Sequence, residues 1–154
     1  QMLNLELKNK IQIQIKIQNQ VMVVFDNDTA GIEKCRKALE LVRPRSFMIT
    51  RLPDHPDFSE FPTIGPHGES IDNINGRAVA IECFLDHSST DLLPKVRWGS
   101  YNKGERKYQG ELESKDEYVR AFKSANLTSG ESNTTKLKYL VDWLISEWLH
   151  RINR

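Results

Sequence analysis

Nothing in these 154 residues approaches the run of roughly 20 apolar residues that a membrane-spanning helix needs. A basic stretch leading into an apolar signal core is also missing, so neither a membrane protein nor an exported one is expected. Cysteine is scarce. Cys35 and Cys83 lie in apolar stretches, without CxxC spacing or paired histidines, and read as buried reduced thiols of a cytoplasmic protein. In that compartment the three Asn-x-Ser/Thr sequons at Asn27, Asn126 and Asn133 carry no glycan. Excess charge is lacking too: 22 Lys and Arg stand against 21 Asp and Glu, so any attraction to nucleic acid must be local. No internal repeat is visible, and the chain opens on Gln1 rather than Met, which suggests a fragment or a processed product.

What is present is the composition of one globular domain, 38% hydrophobic and 28% charged. Residues 11–17, Ile-Gln-Ile-Gln-Ile-Lys-Ile, alternate with period two and predict a half-buried strand. Val21–Phe25 is a continuous apolar run, the pattern of a strand covered on both faces. After Asp26-Asn27-Asp28-Thr29-Ala30-Gly31, the residues Ile32, Cys35, Ala38, Leu39 and Val42 recur at helical spacing, and Arg43-Pro44 stops the helix. Ser46–Arg51 reads as a second strand. Strand, helix and strand at this spacing form a βαβ unit and imply a parallel sheet.

Farther on, four prolines and three glycines predict one long functional loop over residues 52–76. Arg77–Asp86 and Ser114–Ala125 read as helices, with a polar linker at 126–134. Leu137, Leu140, Val141, Leu144, Ile145, Trp148, Leu149 and Ile152 trace one apolar stripe along a last helix, a core face or the contact of a homodimer. The domain reading is therefore a catalytic α/β core over 1–112 and a helical segment over 113–154 packed on it.

The chemistry concentrates at Asp26-Asn27-Asp28. In open parallel sheets ligands sit at the carboxyl ends of strands. Two carboxylates there suit a hard divalent cation, Mg²⁺ or Mn²⁺. The N-terminus of the following helix favours a phosphate. The plainer reading of the same tripeptide is a capped turn with Asp28 as N-cap. An EF-hand is excluded, since loop positions five and twelve would be Ala30 and Lys37 and an apolar strand precedes them. A phosphatase of the haloacid-dehalogenase type, with Asp26 as nucleophile, is the alternative enzyme, although no later Gly-Asp-x-x-x-Asp follows.

Val23-Val24-Phe25-Asp26-Asn27-Asp28-Thr29-Ala30-Gly31 resembles the Asp-x-Asp-x-Ala-Gly signature of TOPRIM domains. Ile81-Glu82-Cys83-Phe84-Leu85 is similar to the Ile-Glu-x-x-Leu helix of OLD-like members. Arg97–Lys103 and Lys107–Leu112 resemble a bacterial group associated with HEPN and Toprim domains. The resemblance implies a Rossmann-like parallel sheet flanked by helices and a metal-dependent nuclease of antiphage defence, acting on DNA or RNA beside an ATPase or sensor subunit. It implies that Asp26, Asp28 and Glu82 hold Mg²⁺ or Mn²⁺ and that Lys107, or else Lys103, offsets phosphate charge. TOPRIM domains also carry a Glu, normally followed by Gly, at the end of the first strand. Residues 1–20 hold only Glu6, with no Gly after it, so that Glu is expected upstream or absent; its absence would favour a non-catalytic binding module.

Around this motif, Asp72 and Asn75 read as turn residues or as neighbours of the same site, and His55, His67 and His87 as surface histidines. Residues 95–107 carry five basic groups against Glu105 alone. Arg97, Trp98, Lys103 and Lys107 are the candidate nucleic-acid contacts there, combining phosphate charge with an aromatic face.

Overall fold

The structure is a computed structural model that describes residues 21–41, 47–86, 94–129 and 134–152. Strand β1 (Val21–Phe25) and strand β3 (Phe47–Arg51) pair in parallel, Val21 opposite Phe47 and Phe25 opposite Arg51. Helix α1 (Thr29–Glu40) joins them, so the βαβ unit expected from the spacing is present. Among the described residues the cover over β1 is partial: Val21 and Val24 stay exposed, while Met22, Val23 and Phe25 are half-buried. Between β1 and α1 lies the two-residue strand β2 (Asn27–Asp28).

The parallel sheet is less extensive than the sequence implies. Segment 52–76 is not one loop. It contains a 3-10 turn at Pro56–Ser59 and a hairpin of β4 (Phe61–Gly65) and β5 (Gly68–Asp72). Gly65, Pro66 and Gly68 sit at the hairpin corner, where Gly68 adopts φ +101°, a conformation glycine tolerates. The helix expected over 77–86 is replaced by strand β6 (Ala78–Val79) and a 3-10 turn at Ile81–Phe84. The reason is tertiary: β6 pairs antiparallel with β2, which holds 78–79 extended and leaves one short turn before Leu85.

Strands β7 (Val96–Asn102) and β8 (Lys107–Leu112) form a second hairpin. With β4 and β5 it makes a mixed four-stranded sheet, order β5-β4-β7-β8, in which only β4 and β7 run parallel. Helices α2 (Lys115–Ser129) and α3 (Thr135–Ile152) follow. Residues 126–129, expected as linker, extend α2. The strand expected at 11–17, Glu6, the stop at Arg43-Pro44 and His87 lie outside the described residues.

One core cluster joins the four-stranded sheet, β6 and the last two helices. Phe58, Phe61, Ile74, Val79, Phe84, Val96 and Leu112 pack with Tyr118 of α2 and Leu140 of α3, and Trp98 and Leu144 border them. The apolar stripe of α3 is wider than its buried face: Leu140 is enclosed, while Val141, Ile145 and Leu149 remain exposed. Two polar ties fix α3 along the β1–β3 edge, Tyr139 Oη donating to the Asp54 carbonyl (3.2 Å) and Arg151 to the Phe47 carbonyl (2.8 Å). Both cysteines are buried and free, as expected. Enclosure pushes the Cys83 thiol up to about 11. His55 is not a surface histidine. Its side chain is 11% exposed, ringed by Phe58, Phe84 and Tyr139, and its Nδ1 accepts from the Asp57 N–H.

Candidate metal and phosphate site

Asp26 follows the last residue of β1, at the carboxyl end of the parallel pair. The chain then turns sharply into α1, and that turn depends on Gly31. A Cβ on Gly31 would stand 2.1 Å from the Asp26 carbonyl oxygen and 3.0 Å from Asp28 Oδ1. With no side chain there, the first turn of α1 closes against the Asp26 backbone, and the Gly31 N–H donates to Asp28 Oδ1 at 2.5 Å. Asp28 is thus the N-cap of α1, the plainer of the two readings of the tripeptide. This uses one lone pair of one carboxylate oxygen, and the carboxylate has acceptor capacity to spare.

The middle residue of the motif is locked. Asn27 is fully buried: its Nδ2 donates to Asp54 Oδ1 (2.7 Å), and its Oδ1 accepts from Arg51 Nη1 (2.5 Å). Arg51 ends β3 directly opposite Phe25, so the parallel register itself delivers the donor. Thr29, also fully buried, donates to Gln109 Oε1 of β8 (2.9 Å). Neighbours in sequence alternate in direction here, and with Asn27 and Thr29 pinned inward, Asp26 and Asp28 flank them.

Glu82 arrives through β6. Asn27 pairs with Val79 and Asp28 with Ala78, and the 3-10 turn begins two residues after Val79. The Asp26 carboxyl is raised above the ordinary carboxylate range. Partial burial is the main cause, the negative charge of Asp28 the next, and Glu82 adds to it. Lys115 opposes the rise, as does an N–H donated by Ile81. Three carboxylates and one ammonium therefore share one electrostatic environment. Among the described residues, no three His, Cys, Asp or Glu side chains stand close enough to enclose a metal ion together.

The other sequence candidates are placed as follows. Lys107 reaches the Gly76 turn: its Nζ is 3.6 Å from where a Cβ on Gly76 would be, and Asn27 Oδ1 is 4.0 Å from the same point. Lys103 is exposed in the β7–β8 turn. Arg97 pairs with Glu113 (2.5 Å). Trp98 is half-buried: Arg77 stacks over its ring at 3.9 Å, and its Nε1 donates to Asp72. Asp72 also accepts from Thr63 and Ser70, and these bonds hold its carboxyl below the ordinary range. Asn75 clamps the His55 backbone from both sides. Neither Asp72 nor Asn75 is among the groups that shift the Asp26 carboxyl.

Sequence reasoning missed Asn27, Arg51, Asp54 and Lys115. Lys115 carried a signal, because a lysine opening a helix opposes the helix dipole and needs another reason to be there. It also borders an open groove of about 960 Å³ between the β7–β8 hairpin and the start of α2, lined by Arg97, Gln109, Glu113 and Arg120 among others.

Among comparisons with known proteins, no curated protein and no solved structure matches the chain. A family model described as Toprim-like matches residues 4–62, the stretch that holds β1, the Asp26–Asp28 turn, α1 and β3. Over that stretch the chain is similar to Toprim-like domains.

Proposed function

We propose that the chain is a metal-dependent nuclease cleaving nucleic-acid phosphodiester bonds. The observation that carries the reading is the placement of Asp26 and Asp28 at the carboxyl end of the parallel β1–β3 pair, at the start of α1 and beside the β6 strand that leads to Glu82. Like charges gathered at a strand end are unfavourable unless a cation or proton relieves them. The donor set is all carboxylate oxygen, which suits Mg²⁺ or Mn²⁺. Mg²⁺ needs no closed protein cage, since it keeps several waters and binds through one or two carboxylates together with substrate phosphate. Asp26, Asp28 and Glu82 would hold it, and when bound it supplies charge neutralisation at the phosphate and a more acidic water.

The chain's own groups do the remaining work. Asn27, clamped by Arg51 and Asp54, fixes the direction of the two aspartates that flank it. The Lys115 ammonium offsets negative charge on the phosphate from the side of α2. The start of α1 adds the positive end of the helix dipole. Lys107, on the Gly76 side, takes the neighbouring phosphate. A role in antiphage defence, beside an ATPase or sensor subunit, completes the reading by resemblance.

The test is nicking of supercoiled plasmid with Mg²⁺ or Mn²⁺, beside Asp28→Asn and Asp26→Asn. Metal-dependent nicking that both substitutions abolish is the expected result. Absence of cleavage with either metal overturns the stand-alone nuclease and leaves a TOPRIM-like binding module.

A further inference from the structure

The β7–β8 hairpin carries an exposed aromatic pair that the carboxylate site does not use. Tyr101 and Tyr108 are direct partners across the hairpin, so their rings leave the same face. They meet edge to face with centroids 5.2 Å apart, and stay 49% and 53% exposed. Lys103 and Arg106 sit in the turn beyond them, both exposed. The turn's one acid, Glu105, is taken by Arg36 of α1 (3.3 Å). Among the described residues Lys103, Arg106 and Lys107 enter no ion pair.

The pair is tied to the site. Gln109, next to Tyr108, bonds Thr29, which directly follows Asp28. The Arg36–Glu105 bond fixes the other end of the hairpin to α1. Lys107 and Gln109 alternate with Tyr108, so the hairpin presents tyrosines on one face and its ties to the Asn27 and Thr29 region on the other.

We propose that Tyr101 and Tyr108, with Lys103 and Arg106, form a stacking platform for an unpaired stretch of DNA, on the hairpin face opposite the ties to the Asn27 and Thr29 region. Exposed tyrosine rings offer π-faces to unstacked bases, and unpaired cations beside them offer charge to the intervening phosphates. A duplex hides its base faces and gains only the phosphate contacts. This deepens the nuclease reading, since it names the strand state of the substrate, but the platform itself requires no cleavage.

The experiment is fluorescence anisotropy of a labelled 20-nucleotide oligo-dT and of a matching duplex, with the full chain in EDTA. The single strand is expected to bind more tightly than the duplex. Tyr101→Ala and Tyr108→Ala should each weaken it roughly 5- to 160-fold, the range set by removing one base stack, while Tyr101→Phe and Tyr108→Phe stay within about 2-fold. Lys103→Glu with Arg106→Glu should flatten the log–log salt dependence by about 0.7 for each phosphate that is no longer neutralised. Thermal melts confirm that the variants fold. Equal affinity for the duplex, or unchanged affinity in both alanine variants, overturns the platform. Single-strand binding that follows this pattern without any metal-dependent nicking keeps the platform and removes the nuclease.

Discussion

Replacing Gly31 by alanine is the most direct probe of why an Ala-Gly step follows the carboxylates. In a helix the exchange normally helps, by about 1 kcal/mol. Here the new Cβ would lie 2.1 Å from the Asp26 carbonyl oxygen and 2.9 Å from its carbon. Both are backbone atoms of the turn, so no flexible side chain can swing away. Overpacking of this kind costs about 1–3 kcal/mol, and more when backbone must move. Because the first turn of α1 must tilt away from Asp26, the 2.5 Å bond from Gly31 to Asp28 is strained as well. The net expectation is a loss of about 1–2 kcal/mol, which for a chain of this size lowers Tm by about 2–8 °C. Gly65→Ala serves as the control. Its Cβ would meet only Trp98 at 3.5 Å, an ordinary contact, so its melt should stay close to that of the parent. Thermal and urea unfolding of the two variants decides the point. An equal or higher Tm for Gly31→Ala would refute the steric account and leave the glycine without a geometric reason.

Asn27→Ala removes both clamps and leaves Arg51 and Asp54 facing an emptied site, so a loss of about 1–3 kcal/mol is expected in urea unfolding. Asp26, raised when folded, holds its proton more tightly in the native state. Its contribution therefore falls as pH rises from the ordinary carboxylate range through the raised native value. Asp26→Asn should remove that slope and leave the metal-free chain more stable than the parent at neutral pH, as read from unfolding curves between about pH 4 and 8. Lys115→Gln withdraws a cation that lowers Asp26, so the Asp26 titration measured by carboxyl NMR should move further up, and Lys103→Gln should leave it in place. Asp72 has the opposite sign: its stabilisation is present above the ordinary carboxylate range and is lost as pH falls through its lowered native value, a loss that Asp72→Asn should not show.

The elements that local pattern dictates are legible in the sequence. Val21–Phe25, α1 and β3 follow from an apolar run, a 3.6-residue period and a second short run, and α3 from its stripe. What is not legible depends on pairing between distant segments. Phe61–Gly65 and Gly68–Asp72 look like loop because their prolines and glycines mark the corner of a hairpin, and only the partner β7 makes β4 a central strand. Ala78–Phe84 has the composition of a helix, and the extended form of Ala78–Val79 within it comes from β2, some fifty residues earlier. The same holds at the site. Asp26 and Asp28 announce themselves by position after an apolar strand, and their N-cap by the Thr-Ala-Gly that follows. Arg51 and Asp54 give no such sign, because their role exists only once β3 lies in register beside β1.

The lysines show where this limit falls. Lys107 and Lys103 stand out in the sequence because they follow Glu82 in a basic segment, a criterion of chain order. The group that acts on Asp26 is Lys115, which starts α2 after the β8 strand has carried the chain back toward the turn. What brings it there is a pair of backbone hydrogen bonds: Gly110 N–H to the Arg77 carbonyl docks β8 against the segment leading into β6, and Glu113 N–H to the Lys95 carbonyl ties the end of β8 to the start of β7. Gly110 is needed for that docking, since a Cβ would stand 2.4 Å from Val96 and 2.8 Å from Ala78. Glu82 and Lys115 thus reach Asp26 by one route, through β6 and the strand packed upon it. A substitution that widens this contact, Gly110→Ala above all, should lower the Asp26 titration by withdrawing Glu82 and raise it by withdrawing Lys115. With both partners leaving together, the carboxyl should move less than in Lys115→Gln alone. An upward shift in Gly110→Ala as large as that in Lys115→Gln would mean that Lys115 leaves while Glu82 stays, so that the two do not share one route.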